Sequence, residues 1–177
     1  MKTTTARRFA HTTLLAAALA AIPTAAGAVP PQPGTPMAES FSYDFPAGVA
    51  CAGFDLRVEA SGATGRVREL LDRNGDVVRE LTTGRGYDLT FTNLATNKTY
   101  FVRSSGSSQV TIPNTDGTFS SVIRGSALII LFPDDKPAGP ISYVIKGRSA
   151  FDLLANRSTF TSLEIQGRIT DVCAVLG

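Results

Sequence analysis

Acidic side chains are the first residues in this sequence whose types could do chemistry. Asp134 and Asp135 are adjacent in the segment 133–140, whereas Asp152 and Glu164 fall in segments with strand-like alternation. A glycosidase needs only two carboxyl groups that face each other across a cleft, about 5 to 9.5 Å apart. Three tyrosines could supply a further acid or base: Tyr87, Tyr100 and Tyr143. A carboxylate-dependent hydrolase or lyase therefore stays open as an alternative.

Nucleophilic catalysis lacks its usual base in this chain. It requires a serine or cysteine that is activated by an imidazole, and the only histidine, His11, lies in an N-terminal leader that we expect to be removed. The serine pairs at 104–105 and 107–108 lie in polar segments without the strand-turn-helix setting of a nucleophile elbow. We therefore predict a non-enzymatic protein with no catalytic residue.

Metal and cofactor sites have little support from the residue types. Zinc prefers cysteine and histidine, and we expect both cysteines to pair with each other. Asp72, Asn74 and Asp76 have the oxygen spacing of a calcium loop, but the sixth and twelfth positions hold Val77 and Thr83 instead of glycine and glutamate. An Asn-Gly step between two apolar segments is instead a strong signal for a β-hairpin. We expect a turn here, with no metal and no cofactor.

One segment is apolar on both faces of any strand that it forms. Residues 127–132 read Ala-Leu-Ile-Ile-Leu-Phe, and such a strand would aggregate if it were exposed. It is either a central strand that is covered on both sides or the lining of an apolar cavity or partner surface. The proline-rich loop 133–140 could rim that site or serve as a stiff connector. Five side chains mark the candidate ligand or partner surface: Leu128, Ile130, Phe132, Asp134 and Asp135.

The N-terminus has the pattern of a cleavable secretory signal peptide. Lys2, Arg7 and Arg8 precede an apolar stretch at 14–22, and Ala-Gly-Ala at 26–28 is typical of a cleavage site. The apolar stretch is about half the length needed to cross a bilayer, and no longer one follows it. We expect residues 1–28 to be removed and the protein to be secreted and extracellular, without a membrane span. The general secretory route is preferred, and the twin-arginine route stays open.

Charge excludes two classes of partner at the level of the whole chain. The leader carries three of the 17 basic residues and none of the 15 acidic ones, so its removal shifts the net charge from +2 to about −1. A near-neutral chain with scattered arginines has no electrostatic footprint for nucleic acid or for an anionic lipid surface. We therefore expect neither partner.

Short runs of alternating polarity dominate the rest of the chain. Residues 54–59 and 87–92 alternate apolar and polar side chains, and turn sequences separate them from similar runs. This pattern predicts an all-β fold, with a single antiparallel domain of about eight or nine strands at 41–177. A Pro-rich linker at 29–40 precedes it, and a short helical turn at 171–176 ends it. Short sequential hairpins favour an up-and-down barrel over a two-sheet sandwich.

Two cysteines remain in the expected mature chain, and they lie near the two ends of the domain. Only one intramolecular pairing is possible in an oxidising compartment. We therefore predict a disulfide between Cys51 and Cys173 that ties the ends of the domain together.

Several short segments carry a resemblance to a known group of proteins. They are Phe-Pro-Ala-Gly-Val-Ala-Cys at 45–51, the turns at 92–94, 97–98 and 114–117, and Asp-Val-Cys at 171–173. Together they resemble small secreted actinobacterial proteins of unassigned function. The resemblance covers most of residues 41–177 and rests on turns, the cysteines and strand spacing. It implies no activity.

The function that these patterns favour is binding. We expect a secreted, non-enzymatic β-domain that takes a small apolar ligand in its interior or contacts an extracellular protein or envelope partner on its surface. The carboxylate-dependent hydrolase or lyase is one alternative. A structural protein of the envelope with no cavity is the other.

Overall fold

The computed structural model describes residues 34–177, and within them β-strands form two antiparallel sheets. The predicted signal peptide at 1–28 and residues 29–33 of the predicted linker lie outside the described residues. The elements are β1 (Thr35–Pro36), β2 (Ser40–Phe45), β3 (Leu56–Ser61), β4 (Arg66–Leu71), β5 (Val77–Gly84), β6 (Asp88–Asn93), β7 (Thr99–Val102), β8 (Ser107–Pro113), β9 (Phe119–Leu131), β10 (Ile141–Leu153), β11 (Phe160–Asp171) and α1 (Val172–Leu176). The all-β prediction and the C-terminal helical turn are confirmed.

The favoured up-and-down barrel is wrong, and so is the count of eight or nine strands. Within residues 34–177, eleven strands form a seven-stranded sheet in the order β1-β4-β5-β8-β9-β10-β11 and a four-stranded sheet in the order β2-β3-β6-β7. Both of these sheets are open. The chain changes sheet after β1, β3, β5 and β7, so its hairpins belong alternately to two layers. Local hairpin signals are the same in a barrel and in two layers, which is why the sequence pattern did not separate them.

Part of the segment predicted as a linker lies against the larger sheet. Thr35 and Pro36 pair with β4, and the Met37 N–H donates to the Gly65 carbonyl at 3.0 Å. The Arg66 guanidinium donates to the Gly34 carbonyl at 3.0 Å. These hydrogen bonds place Met37 where it can help to line a cavity.

A row of glycines crosses the larger sheet. Gly84, Gly125, Gly147 and Gly167 lie in register across β5, β9, β10 and β11, and Ser107 of β8 completes the line. All four have φ between +106° and +150°, a conformation that residues with a Cβ rarely adopt. We call these four residues the glycine row. Glycines inside strands mark bends and close backbone approaches, and a Cβ added at Gly125, Gly147 or Gly167 would collide with backbone atoms in or next to the neighbouring strand.

The doubly apolar strand is buried on both faces. Leu128 and Ile130 of β9 pack against the core between the two sheets, together with residues such as Phe91. Ala127, Ile129 and Leu131 alternate with them and belong to a second apolar cluster on the opposite face. That cluster includes residues from both sides of the glycine row: Ile145 and Phe151 of β10, and Leu163 and Ile165 of β11.

The disulfide joins the two ends of the core, as predicted. Cys51 and Cys173 are bonded, with their Cα atoms 5.5 Å apart and a sequence separation of 122 positions. Asp171 begins α1 by accepting a hydrogen bond from the Ala174 N–H at 3.1 Å. The buried amide of Asn93 donates to the Leu176 carbonyl at 3.2 Å, which ties the end of α1 to β6.

Candidate functional site

A cavity opens where the two sheets meet beside the glycine row. Its volume is about 330 Å³. Phe41 of β2, Leu89 of β6 and Val102 of β7 contribute the wall from the four-stranded sheet. Strands β5, β8, β9 and β10 contribute the opposite wall. The cavity therefore depends on both layers, and no single hairpin could form it.

The cavity wall is apolar, with a band of small polar groups at one side. The apolar part includes Met37, Phe41, Tyr87, Leu89, Val102, Ile123, Leu128 and Val144. The polar part consists of Thr82, Thr83, Ser104, Ser107, Gln109 and Ser126. None of these side chains carries a charge. An apolar wall with a few hydroxyl and amide groups is the usual composition of a site for a small, mostly hydrocarbon ligand.

Small residues keep the cavity open. Gly86 lines it, and a Cβ added at this position would lie 3.3 Å from Ser104 Oγ and 3.7 Å from Ser107 Oγ. A larger side chain at position 86 would therefore extend into space that the ligand would use. The φ of Gly86 is not in the left-handed range, so glycine serves here to leave space and not to allow an unusual backbone conformation.

Aromatic packing and one ionised carboxylate hold the cavity rim in place. The rings of Phe41 and Tyr87 meet edge to face, with centroids 4.9 Å apart. Asp88 accepts hydrogen bonds from the Ser104 N–H at 2.8 Å and from the Arg85 guanidinium at 2.6 Å. These two partners, the Ser104 N–H foremost, hold the pKa of Asp88 below its usual value. The Asp88 carboxylate thus stays ionised and fixes the segment that carries Ser104.

Of the five side chains predicted to form a binding surface, one lines the cavity. Leu128 lines the cavity, whereas Ile130 packs against the core between the sheets and does not line the cavity. The ring of Phe132 lies 6.1 Å from that of Phe45. Asp134 is exposed and Asp135 is buried. The structure does not bring these five side chains together into one surface.

Asp135 has an architectural position in the loop 133–140. Its side chain is 3% exposed, and its two oxygens accept hydrogen bonds from the backbone N–H groups of Phe132 and Phe160. The Lys136 N–H also donates to the Phe160 carbonyl at 2.9 Å. Asp135 therefore holds the loop against the start of β11.

The carboxylates considered for hydrolysis do not face each other across the cavity. Asp152 accepts hydrogen bonds from Ser162 and Ser120 hydroxyls, each at 2.7 Å, and these lower its pKa, Ser162 most strongly. A carboxyl group with a lowered pKa stays ionised, so it can accept hydrogen bonds but has no proton to give as a general acid. Glu164 is exposed and accepts a hydrogen bond from Gln166 at 2.6 Å. Neither residue lines the cavity.

The tyrosines named as possible acids or bases lie in three different surroundings. Tyr87 lines the cavity rim, the Tyr100 ring stacks on Phe91 at 6.2 Å, and Tyr143 packs against the second apolar cluster. Within residues 34–177, no three acidic, histidine or cysteine side chains are close enough together to bind a metal ion. At the suspected calcium loop, Asp72 accepts hydrogen bonds from the backbone N–H groups of Asn74 and Asp76.

Sequence reasoning missed most of the cavity wall. Leu89 and Val102 come from strands that the alternating pattern did identify, whereas Phe41 lies in β2, a strand that the pattern did not identify. Nothing in that pattern shows which apolar side chains fill the core and which border a space. The glycines at 84, 125, 147 and 167 are a signal that could have been used, because several long strands each contain one glycine near the middle.

Comparisons with protein-family models, with curated proteins and with solved structures give no match for this chain. Among the described residues, no helix has the length and apolar character that spanning a bilayer requires.

Proposed function

We propose that this protein is a secreted, non-enzymatic binding protein that holds a small apolar ligand in the cavity between its two sheets. The observation that carries the proposal is the cavity itself, with a volume of about 330 Å³ and a largely apolar, uncharged wall. Ligand pockets in proteins have volumes of about 300 to 1,000 Å³. The ligand, or the part of it that enters this cavity, is therefore small.

The chemistry of the wall supports a ligand with an apolar body. Leu89, Val102 and Val144 offer only hydrocarbon contacts, whereas Ser104 and Ser107 could hydrogen-bond a hydroxyl or carbonyl group. The side-chain amide N–H of Gln109 already donates to Thr111 Oγ1 at 3.1 Å. This bond orients the Gln109 side-chain carbonyl oxygen, which could accept a hydrogen bond from a ligand. Straight-chain alkanols have this combination of an apolar body with one polar end.

Secretion is part of the proposal, and two features support it. Residues 1–28 have the pattern of a signal peptide, and the disulfide between Cys51 and Cys173 is typical of an oxidising compartment. Mass spectrometry of protein from culture supernatant would test this part. A chain that starts at Val29 is expected, and full-length chain found only inside cells would contradict it.

Blocking the cavity is the direct test of ligand binding. We expect decan-1-ol to bind the mature protein and to raise its melting temperature, because a ligand that binds only the folded state stabilises it. The variant Gly86→Leu should lose this binding, since the new side chain would occupy space beside Ser104 and Ser107. The measurement is isothermal titration calorimetry, with the melting temperature as a second readout.

A matched glycine gives the control for this test. Gly53 is exposed, has no heavy atom within 4 Å of an added Cβ and does not have a left-handed φ. Gly53→Leu should therefore bind decan-1-ol as the unchanged protein does. Equal binding in Gly86→Leu and Gly53→Leu would place the ligand elsewhere and contradict the proposal, as would no binding by the unchanged protein.

A further inference from the structure

A second recess lies at the edge of the four-stranded sheet, and it adjoins the cavity. Its volume is about 280 Å³, and residues of β7, β10 and β11 line it. Val102 and Val144 line both the cavity and this recess. This pair of buried valines thus lies between the two spaces, with the apolar cavity on one side and the recess on the other.

Three cationic side chains line the recess. They are Arg103, which follows β7, Lys146 of β10 and Arg168 of β11. Among residues 34–177, none of the three forms an ion pair. Acidic side chains are absent from the described lining of the recess. The charge of Arg103 contributes weakly to the lowered pKa of Asp88, after the Ser104 N–H and Arg85, and the Asp88 carboxylate is already hydrogen-bonded to Arg85.

The cations are held close together by the sheet. Lys146 and Arg168 are directly opposite partners in the register of β10 and β11, and like charges at opposite positions destabilise a pair of strands. Arg103 adds a third positive charge from the other sheet. An anion seated among these side chains would relieve their mutual repulsion and gain charge-assisted hydrogen bonds.

We infer that the ligand is an anionic amphiphile, with its hydrocarbon chain in the cavity and its carboxylate or phosphate group among Arg103, Lys146 and Arg168. This inference rests on the proposed function, because it assigns the apolar part of the ligand to the same cavity. The new element is the charged end. Val102 and Val144 border both spaces, so the ligand's hydrocarbon chain would cross beside these two side chains.

Matched ligands separate the two parts of the argument. Decan-1-ol, decanoate and decyl phosphate have the same chain and differ only in the end group, and inorganic phosphate has the anion without a chain. At low ionic strength, we expect decanoate or decyl phosphate to bind about tenfold more tightly than decan-1-ol, because three nearby cations act on the anion with little screening. Raising the salt concentration to 0.5 M should remove most of this difference and leave decan-1-ol binding unchanged.

A double variant tests the cations themselves. In Lys146→Gln with Arg168→Gln, the affinity for the preferred anion should fall about fivefold to tenfold at low ionic strength, whereas the affinity for decan-1-ol should stay the same. The matched control is Arg73→Gln with Lys98→Gln, which removes the same two residue types from exposed turns outside the recess. That control should bind every ligand as the unchanged protein does.

The outcomes distinguish this inference from the proposed function. If decan-1-ol binds as tightly as decanoate and decyl phosphate, the inference is overturned and the cavity proposal stands. If inorganic phosphate binds as tightly as decyl phosphate, the recess holds a free anion and the amphiphile is overturned. If no chain-bearing ligand binds, both proposals fail. The salt dependence uses the unchanged protein, so the test holds even if the double variant does not fold.

Discussion

Adding one methyl group at the glycine row should destabilise the protein strongly. In Gly147→Ala, the new Cβ would collide with the backbone oxygen of Gln166 and would lie 2.9 Å from the Gly167 Cα. Both obstacles are backbone atoms of β11, which the register holds in place. The methyl group can therefore be accommodated only if the two strands move apart.

The magnitude follows from three contributions. A residue with a Cβ held at a φ of +150° costs about 1 to 3 kcal/mol, and forcing extra volume into a packed site costs about 1 to 3 kcal/mol. Alanine also lowers the conformational entropy of the unfolded chain, which offsets this loss by about 0.4 to 1 kcal/mol. The net loss is about 3 kcal/mol, which for a domain of this size lowers the melting temperature by roughly 6 to 12 °C.

Thermal unfolding followed by circular dichroism would measure this loss. The control is Gly53→Ala, because an added Cβ at Gly53 meets no atom within 4 Å, and its melting temperature should match that of the unchanged protein or exceed it slightly. A difference between the two variants of less than about 2 °C would refute the view that the strands approach closely at the glycine row.

Three further predictions concern the disulfide and two aspartates. Replacing Cys51 and Cys173 together by alanine should cost about 5 kcal/mol in denaturant unfolding, since the bridge closes a loop of 122 residues; an unchanged unfolding midpoint would contradict this. Asp135→Ala leaves two backbone N–H groups without their acceptor and should cost at least about 2 kcal/mol in the same assay, whereas exposed Asp134→Ala should be neutral. The pKa of Asp152 is lower in the folded protein than its usual value, so the ionised carboxylate stabilises the fold at every pH above the usual aspartate pKa. This stabilisation disappears as the pH falls through the lowered pKa. The melting temperatures of the unchanged protein and Asp152→Asn should therefore differ at pH 6 and converge near pH 2, and a constant difference would contradict the assignment.

Local patterns were enough to predict the class of fold and several of its turns. The Asn74 to Asp76 segment forms the β4 and β5 hairpin, and residues 114–117 connect β8 to β9. Both succeed because turn geometry depends on a few neighbouring residues. The pairing of Cys51 with Cys173 was also predictable, because the sequence contains only these two cysteines.

The candidate site was far less accessible to sequence reasoning. Residues 127–132 were singled out for their apolar side chains, yet burial on both faces accounts for most of them, and only Ala127 and Leu128 reach the cavity. Asp134 and Asp135 looked like a binding loop, but Asp135 holds the loop to β11. Adjacent positions in sequence do not reveal which side chains share a space.

The net charge of the chain also failed to reveal the cationic recess. Residues 29–177 carry a net charge of about −1, and this sum predicts no anionic lipid surface as a partner. Arg103, Lys146 and Arg168 come from three separate segments, and their proximity depends on how β7 faces β10 and β11. A sum over the chain cannot register a local cluster, because the potential at a site depends on distance.

The sequence by itself determined most of the strands, the tight turns, the single possible disulfide and the absence of imidazole from residues 29–177. These properties depend on residue type and on spacings of a few positions. The tertiary structure alone decided that the hairpins divide between two open sheets, that the four glycines align across the larger one, and that Val102 and Val144 line both a cavity and a cationic recess. Those features arise from contacts between residues far apart in the chain, whose register no local pattern encodes.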